Sequence, residues 1–358
     1  MARPIQARID LSAMESNLQV ARRATSARIL SVIKADGYGH GLLHAAQAFS
    51  AADGYALLDI QDAVRLREAG FRQPILLLEG FFNDKELPLI AEQDLTCVIH
   101  SPWQISMLDG YPGRRALDVW LKVNSGMNRL GFVPQQVAQA MEQLRRHRAV
   151  RDITLMTHFA NADEESGVAK PLALFNEIAA PYRIARSLAN SAALLRYPAT
   201  HADWVRPGIM LYGASPFSHE SGGGIGAHQL GLRPAMTLSS RIIATQPLRA
   251  GDEIGYGALF RAEHAMRIGV VACGYADGYP RHAPNGTPIL VDGQRTRTLG
   301  RVSMDMLCVD LSDLPQAGVG STVVLWGEGM PVEEVAHSAG TVSYELMCAL
   351  TERVRIVT

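Results

Sequence analysis

RILSVIKADGYGHGLLHAAQAFSAADGYALLDIQDAVRLREAGFRQPILLLEG, residues 28–80, is the stretch whose reading decides the fold. Ile29 to Ile33 is a short β-branched run and predicts a strand. A helix follows from about Leu42 to Ala51. GYALL then reads as a second strand with the helix IQDAVRLREAG, and PILLLEG as a third with DKELPLIAEQ. Outward from this stretch the alternation continues: LTCVIH with SPWQISMLDG, LDVWLKV with PQQVAQAMEQLRRH, ITLMTHF with PLALFNEIAAPY, then ARSLAN and WVRPGIMLYG. Strands alternating with helices predict parallel strands joined by crossover helices. Close to eight such units in about 230 residues point to an α/β fold, a (β/α)₈ TIM-type barrel. An open doubly wound sheet is the alternative, because periodicity alone does not close a barrel.

After about Leu232 the texture changes. MTLSSRIIATQPL, MRIGVVACG, PILVDG, RTRTLG, MLCVDL and STVVLWG are short strands, punctuated by turn pairs such as Asn285-Gly286 and Asp292-Gly293. TVSYELMCALTERV reads as a helical or mixed closing element. The expected division is therefore a barrel over residues 1–231 and a mostly-β domain over 232–358, with the glycine-rich HESGGGIGAHQ (residues 219–229) as the flexible piece between them.

Composition narrows the function classes. The chain has 358 residues, 47% of them hydrophobic, enough for about two domains with sizeable cores. Its net charge of -1 offers no basic surplus for nucleic acid or an anionic membrane. Met1 to Leu11 lacks the apolar centre of a signal peptide, and no later run is long enough to span a bilayer. Cys97, Cys273, Cys308 and Cys348 lie far apart with no CxxC pair, which argues for a reducing cytoplasm over a disulfide framework or a zinc knuckle.

Only Lys34, Lys85, Lys122 and Lys170 are lysines among 34 basic residues. A chain that uses arginine wherever a plain cation will serve draws attention to its lysines, since lysine can lose its proton and attack a carbonyl. Lys85 and Lys170 sit in polar surroundings. Lys34 and Lys122 end or interrupt strand-like runs. In a barrel the chemistry sits at the carboxyl ends of the strands, and those ends carry Lys34, Arg129, His158, Asn190, Ser191, Arg206, Gly208 and Ile209. There is no phosphate-loop GKS or GKT, no HExxH and no GxSxG. GYGHG lacks dinucleotide spacing. His40 and His44, four apart, have no carboxylate or cysteine partner nearby, so no metal is expected. A strand lysine, small Gly/Ser/Asn loops and a rim arginine suit a phosphorylated aldehyde cofactor held as a Schiff base.

Nine segments in order, VIKADGYGHG, LKVNSGMNRLGF, MTHFANAD, LANSAA, WVRPGIMLYGAS, IGYG, GYADGYPR, GRVSMDM and TVSYELMC, resemble the bacterial alanine racemase family across essentially the whole chain. The resemblance implies a barrel followed by a β domain, and a homodimer with shared active sites. It implies that Lys34 holds pyridoxal 5'-phosphate as an aldimine. Tyr38, Ser191 and Tyr344, with the Gly208 and Ile209 amides, would take the phosphate; Asn190 belongs to the same cofactor loop, and Arg206 would meet the pyridine nitrogen. Tyr256 would be the second base, reaching in from the partner subunit, with His158 bridging Tyr256 and Arg206. Arg129 and the Met304 amide would receive the substrate carboxylate, and Tyr275 would narrow the entrance. No role is assigned to Asp305. Lys122 is expected to be carbamylated and to orient Arg129; the alternatives are a chloride ion in its place or an unmodified lysine paired with a carboxylate.

The implied reaction suits these residue types. Racemisation removes the α-hydrogen on one face and returns a proton on the other, so two bases are needed, Lys34 and Tyr256. A free phenol is a poor base at neutral pH and needs a cationic field to become one. Arginine at the pyridine nitrogen keeps its proton, which discourages a long-lived carbanion. Asp36-Gly37 and Asn124-Ser125 stand where many family members have Asn-Ala and Asp-Thr, which bears on loop packing. Competing readings are an ornithine-type decarboxylase, disfavoured by Arg206, a single-domain cofactor carrier, disfavoured by the β domain, a barrel hydrolase without cofactor, and a broader racemase acting on serine. The D-alanine would serve peptidoglycan synthesis, or the enzyme would serve catabolism of L-alanine.

Overall fold

The computed structural model describes residues 3–111, 113, 115–217 and 224–358. Residues 219–223 of the glycine-rich stretch expected to be flexible lie outside the described residues. The chain divides into two compact units, one of residues 17–37 and 41–211, the other of residues 1–16, 38–40 and 212–358.

The first unit is a closed barrel of eight parallel strands: Arg28–Val32, Gly54–Leu57, Ile75–Leu77, Thr96–Ile99, Leu117–Lys122, Val150–Met156, Arg186–Ser187 and Trp204–Val205. The last strand closes on the first through Arg28 opposite Trp204 and Ile29 opposite Val205. The barrel read from the alternation is the one observed, and the open sheet is excluded. Helices between the strands follow ordinary rules. The helix Pro134–Arg146 opens on proline, buries Val137, Ala140, Met141 and Leu144 on one stripe, and ends on Arg145 and Arg146, where the helix dipole favours cations. The helix Ile60–Glu68 is capped by Asp59, which accepts from the Gln61 amide at 2.7 Å.

One buried arginine of this layer has a structural task. Arg67 donates to the carbonyls of Phe71 (3.0 Å), Gln73 (2.9 Å), Gln93 (2.9 Å) and Asp94 (3.2 Å), tying two helix ends together. Burial lowers its pKa from the usual guanidinium value. Arg67→Met keeps the length of the side chain and removes all four donors. We expect thermal unfolding to show a loss of about 3 kcal/mol, since several carbonyls lose partners at once. The KM for substrate should not move.

The second unit is an eight-stranded sheet in the order Met266–Val271, Leu307–Asp310, Gln294–Leu299, Pro288–Val291, Thr322–Trp326, Met236–Leu248, Gln6–Ile9 and Arg355–Val357. The long strand Met236–Leu248 also pairs with Met266–Val271, so six of these strands return on themselves and lose their free edges. Gln6–Ile9 pairs antiparallel with Met236–Leu248 and parallel with Arg355–Val357. The closing segment resolves into the helix Ser343–Cys348 and that last strand. Among the described residues, no helix is long and apolar enough to cross a membrane.

Candidate active site

Lys34 is delivered to the carboxyl end of the barrel by the ladder on either side of it. Val32 donates to the Pro207 carbonyl at 3.0 Å and Ile33 to the Ala56 carbonyl at 2.8 Å. Immediately after Lys34 the chain makes a left-handed turn. Ala35, Asp36, Gly37, Tyr38 and Gly39 have φ of 52°, 51°, 61°, 52° and 77°. For the three non-glycine residues this conformation costs about 1–2 kcal/mol each. The turn is held by Gly37 N–H on the Ile33 carbonyl (3.0 Å), by Gly41 N–H on the Asp36 carbonyl (2.9 Å), and by Asp36 Oδ1 accepting from the Leu42 amide (2.8 Å). Asp36 and Gly37 are thus residues that tolerate this geometry. Backbone strain of this kind is concentrated at functional sites.

Lys122 ends the strand Leu117–Lys122 and is 8% exposed. Burial, then the charges of Arg206 and Arg129, pushes its ammonium down to about 8. The loop after it is built by Asn124, whose Oδ1 accepts from the Gly126 and Asn128 amides at 3.1 and 3.0 Å. The Lys122 carbonyl and the Asn124 amide pair with Phe132 across the loop base (2.8 and 2.9 Å), leaving Arg129 exposed on it. Ser125 donates to Thr157 Oγ1 at 2.7 Å, and Thr157 passes its own proton to the Val123 carbonyl at 2.9 Å.

Arg206 is 4% exposed and hydrogen-bonds Ser187 Oγ, the Thr157 carbonyl (2.6 Å) and the Leu188 carbonyl (3.3 Å). Burial lowers it to about 10, so it stays charged at neutral pH. His158 is held well below the usual imidazole value by burial and by the charges of Arg206, Lys122, Arg129 and Lys34. It is therefore neutral, and the positive field is supplied by the arginines and lysines around it. Among the described residues, Lys122, Arg129 and Arg206 make no ion pair with a carboxylate. Beside this cluster Asn190 caps the helix Ser191–Arg196, accepting from the Ala193 amide at 3.0 Å. Ser191 Oγ accepts from the Gly208 amide at 2.9 Å, and Ile209 opens the turn Ile209–Tyr212.

In the second unit, Tyr38 stacks on Tyr212 with centroids 4.6 Å apart and lies 6.0 Å from the Tyr344 ring. Burial and the neighbouring Tyr344 raise the Tyr38 hydroxyl pKa, so it remains a neutral donor. A Cβ on Gly39 would fall 2.1 Å from the Met347 carbonyl, so only glycine fits there. Tyr256 opens the short turn between Glu253–Ile254 and Phe260–Arg261 and is 73% exposed. Its hairpin is anchored by Ile254 in an apolar cluster with Ala262, Met266, Ile268 and Leu299. Met304 and Tyr275 are 53% and 37% exposed.

The family model for the alanine racemase N-terminal domain matches residues 9–216, and that for the alanine racemase C-terminal domain matches residues 235–358. The chain belongs to the alanine racemase family. It is 59% identical to the alanine racemase of Nitrosospira multiformis and 54% identical to the catabolic alanine racemase of Klebsiella aerogenes, with 100% of each chain covered in both cases. Its fold matches the crystal structure of the biosynthetic alanine racemase of Pseudomonas aeruginosa with a TM-score of 0.95, at 45% identity over 99% of both chains.

Of the residues singled out in the sequence, Lys34, Lys122, Arg129, His158 and Arg206 form one electrostatically coupled group in the barrel unit. Asn190, Ser191, Gly208 and Ile209 form a second group there, and Tyr38 and Tyr344 a pair in the other unit. Sequence reasoning overlooked Tyr212, Ser187 and Thr157. Thr157 and Tyr212 lie inside, and Ser187 immediately before, segments that resemble the alanine racemase family, yet stacking under Tyr38 and holding Arg206 are tasks created by the fold.

Proposed function

We propose that this protein interconverts L-alanine and D-alanine with pyridoxal 5'-phosphate, using Lys34 and Tyr256 as the two bases. The observation that carries this reading is Lys34 at a barrel strand end before a strained left-handed turn, in the same unit as the buried Arg206 and the Ser191–Gly208 pair at a helix start. Such an arrangement fits an aldehyde bearing a phosphate. Lys34 would hold the carbonyl end, while Ser191 Oγ, the Gly208 and Ile209 amides, Tyr38 and Tyr344 would take the phosphate. When bound, pyridoxal phosphate withdraws electrons from the substrate α-carbon and makes its hydrogen removable as a proton.

The protein's own groups do the rest. The Lys34 amine takes or returns the proton on one face and the Tyr256 phenol does so on the other. Arg206, charged at neutral pH and spending N–H groups on Ser187, Thr157 and Leu188, would hold the ring nitrogen unprotonated. Arg129 and the Met304 amide would receive the substrate carboxylate. Tyr256, Met304 and Tyr275 are too exposed in a single chain to exclude water, which favours a homodimer in which a partner covers them. Incubation of either enantiomer in deuterated water should exchange the α-hydrogen, with loss of optical activity. Release of carbon dioxide, or α-exchange without formation of the opposite enantiomer, would refute the reading.

Lys122 completes the site as a carbamate. A bare ammonium there would be like-charged with Arg129 and Arg206 in a poorly solvated place. Its lowered value of about 8 leaves much of the amine neutral and nucleophilic at mildly alkaline pH. The neutral amine adds carbon dioxide and sheds a proton, reversing the charge, and the carbamate can hold the Arg129 fork by paired hydrogen bonds. We expect Lys122→Ala to raise KM about tenfold with little change in kcat, because an orienter of carboxylate binding acts on ground and transition states alike. Chloride or small carboxylates should restore part of the affinity. At fixed dissolved carbon dioxide, occupancy should fall as pH drops below about 8 and the ammonium returns. Clear electron density ending at an unmodified Nζ beside an Asp or Glu in crystals grown with bicarbonate, or an unchanged KM in the variant, would rule it out.

A further inference from the structure

The turn Tyr275–Asp277 and the segment of residues 303–306 are fastened to one another in the second unit. Tyr275 N–H donates to the Ser303 carbonyl and Ala276 N–H to the Met304 carbonyl, each at 3.0 Å. The approach is so close that a Cβ on Gly274 would lie 2.3 Å from the Met304 carbonyl oxygen. Tyr275 and Met304 are therefore fixed relative to one another by these contacts.

Asp277 sits behind this piece with 0% exposure. Its Oδ2 accepts from the Gly274 amide at 3.0 Å and from Arg3 Nη2 at 2.9 Å. Its Oδ1 is 3.3 Å from Arg353 Nε, an ion pair without hydrogen-bond alignment. The same Arg353 reaches Asp305 Oδ1 through Nη2 at 2.5 Å, and Arg3 Nη2 also donates to the Asp305 carbonyl at 3.0 Å. Thr351 adds a bond from Oγ1 to the Ala276 carbonyl at 2.8 Å. Two carboxylates are thus matched by two guanidiniums drawn from the two ends of the chain. Among the described residues, Arg353 is the one side chain whose fork spans both acids. A buried carboxylate needs its counter-charges, so loss of Arg353 leaves Asp277 with Arg3 and the Gly274 amide alone and removes the link from Asp277 to Asp305.

We propose that Asp277 and Arg353 are positioning residues: their ion pairs set where the Tyr275 ring and the Met304 amide stand, and through them the affinity for the substrate carboxylate. The inference rests on the reading of Tyr275 and Met304 as substrate-side groups.

The test compares purified wild-type holoenzyme with Arg353→Met, Arg353→Lys, Asp305→Asn and Arg8→Met, the last breaking an ion pair with Glu328 elsewhere in the same unit. KM and kcat are measured for both enantiomers, together with cofactor absorbance and Tm. Arg353→Met should raise KM about five- to twentyfold with kcat within about threefold, the signature of a lost binding geometry. Arg353→Lys should recover part of the affinity, because a point charge serves one acid but cannot span two. Arg8→Met should leave KM unchanged. A purely structural ion pair would lower Tm and the active fraction, which reads as kcat, and leave KM alone; that result overturns the proposal. Should Arg353→Met fail to fold, Asp305→Asn discharges the outer acid and leaves a neutral acceptor in its place, and an unchanged KM there overturns it equally. Absence of alanine racemisation by the wild type would overturn the functional reading and this proposal together, and needs no variant to be seen.

Discussion

Lys34→Ala should leave a folded protein that no longer racemises alanine and no longer shows the visible absorbance of a lysine-bound cofactor. The expected loss is about 10³-fold or more in kcat, since under the proposed mechanism the variant would lack both the covalent anchor and one of the two bases. Folding should survive, because Lys34 lies where the strand Arg28–Val32 has ended and alanine can follow into the left-handed turn no worse than Ala35 does. Circular dichroism and a thermal melt check the fold, and absorbance with and without added pyridoxal phosphate checks the anchor. An exogenous amine such as methylamine should restore some turnover if the missing group is the base. A variant that keeps both colour and turnover would sink the assignment of Lys34.

Tyr256→Phe should be nearly as severe, about 10²- to 10⁴-fold in kcat, for under the proposed mechanism it would remove the proton carrier of the opposite face. Unlike Lys34→Ala it should retain bound cofactor. It should also impair one direction of α-hydrogen exchange more than the other, because Lys34 still serves its own face. The two variants together test the shared site. Tyr256 sits on a hairpin that its own unit holds firmly through Ile254 while leaving the ring 73% exposed. Under the proposed shared site, a partner subunit would cover this ring. When Lys34→Ala and Tyr256→Phe chains are mixed under conditions of subunit exchange, one hybrid site in each heterodimer would hold both bases, and part of the activity should return. Proven exchange with no recovery would exclude sharing.

Much of this was legible before folding because it is written in local order. Strand periodicity, the punctuation of glycine and proline, and the placement of Lys34, Lys122, His158 and Arg206 at strand ends need only the chain's own neighbours to be read. The alternation over residues 28–80 sets the barrel for the same reason: each strand–helix unit carries its own pattern, and repetition leaves few ways to pack it. The ordered segments then identify the alanine racemase family, since nine of them in sequence cannot arise from composition.

What required the tertiary structure depends on residues far apart in the chain. Gln6–Ile9 joins a sheet whose other strands begin more than two hundred residues later, and nothing in QARI marks its partner. GYGHG announces a turn, but its left-handed sense comes from contacts such as Gly39 against Met347. Arg206 looks like any rim cation until Ser187, Thr157 and Leu188 surround it. The neutrality of His158 and the softened ammonium of Lys122 follow from burial and from charges gathered off different strands, neither of which a spacing can encode. Arg3, Asp277 and Arg353 become one network only when both ends of the chain meet the same turn. The order of residues determined the elements and the reactive groups; long-range packing decided their charge states and their partners, because desolvation and Coulomb interactions act through space and not along the chain.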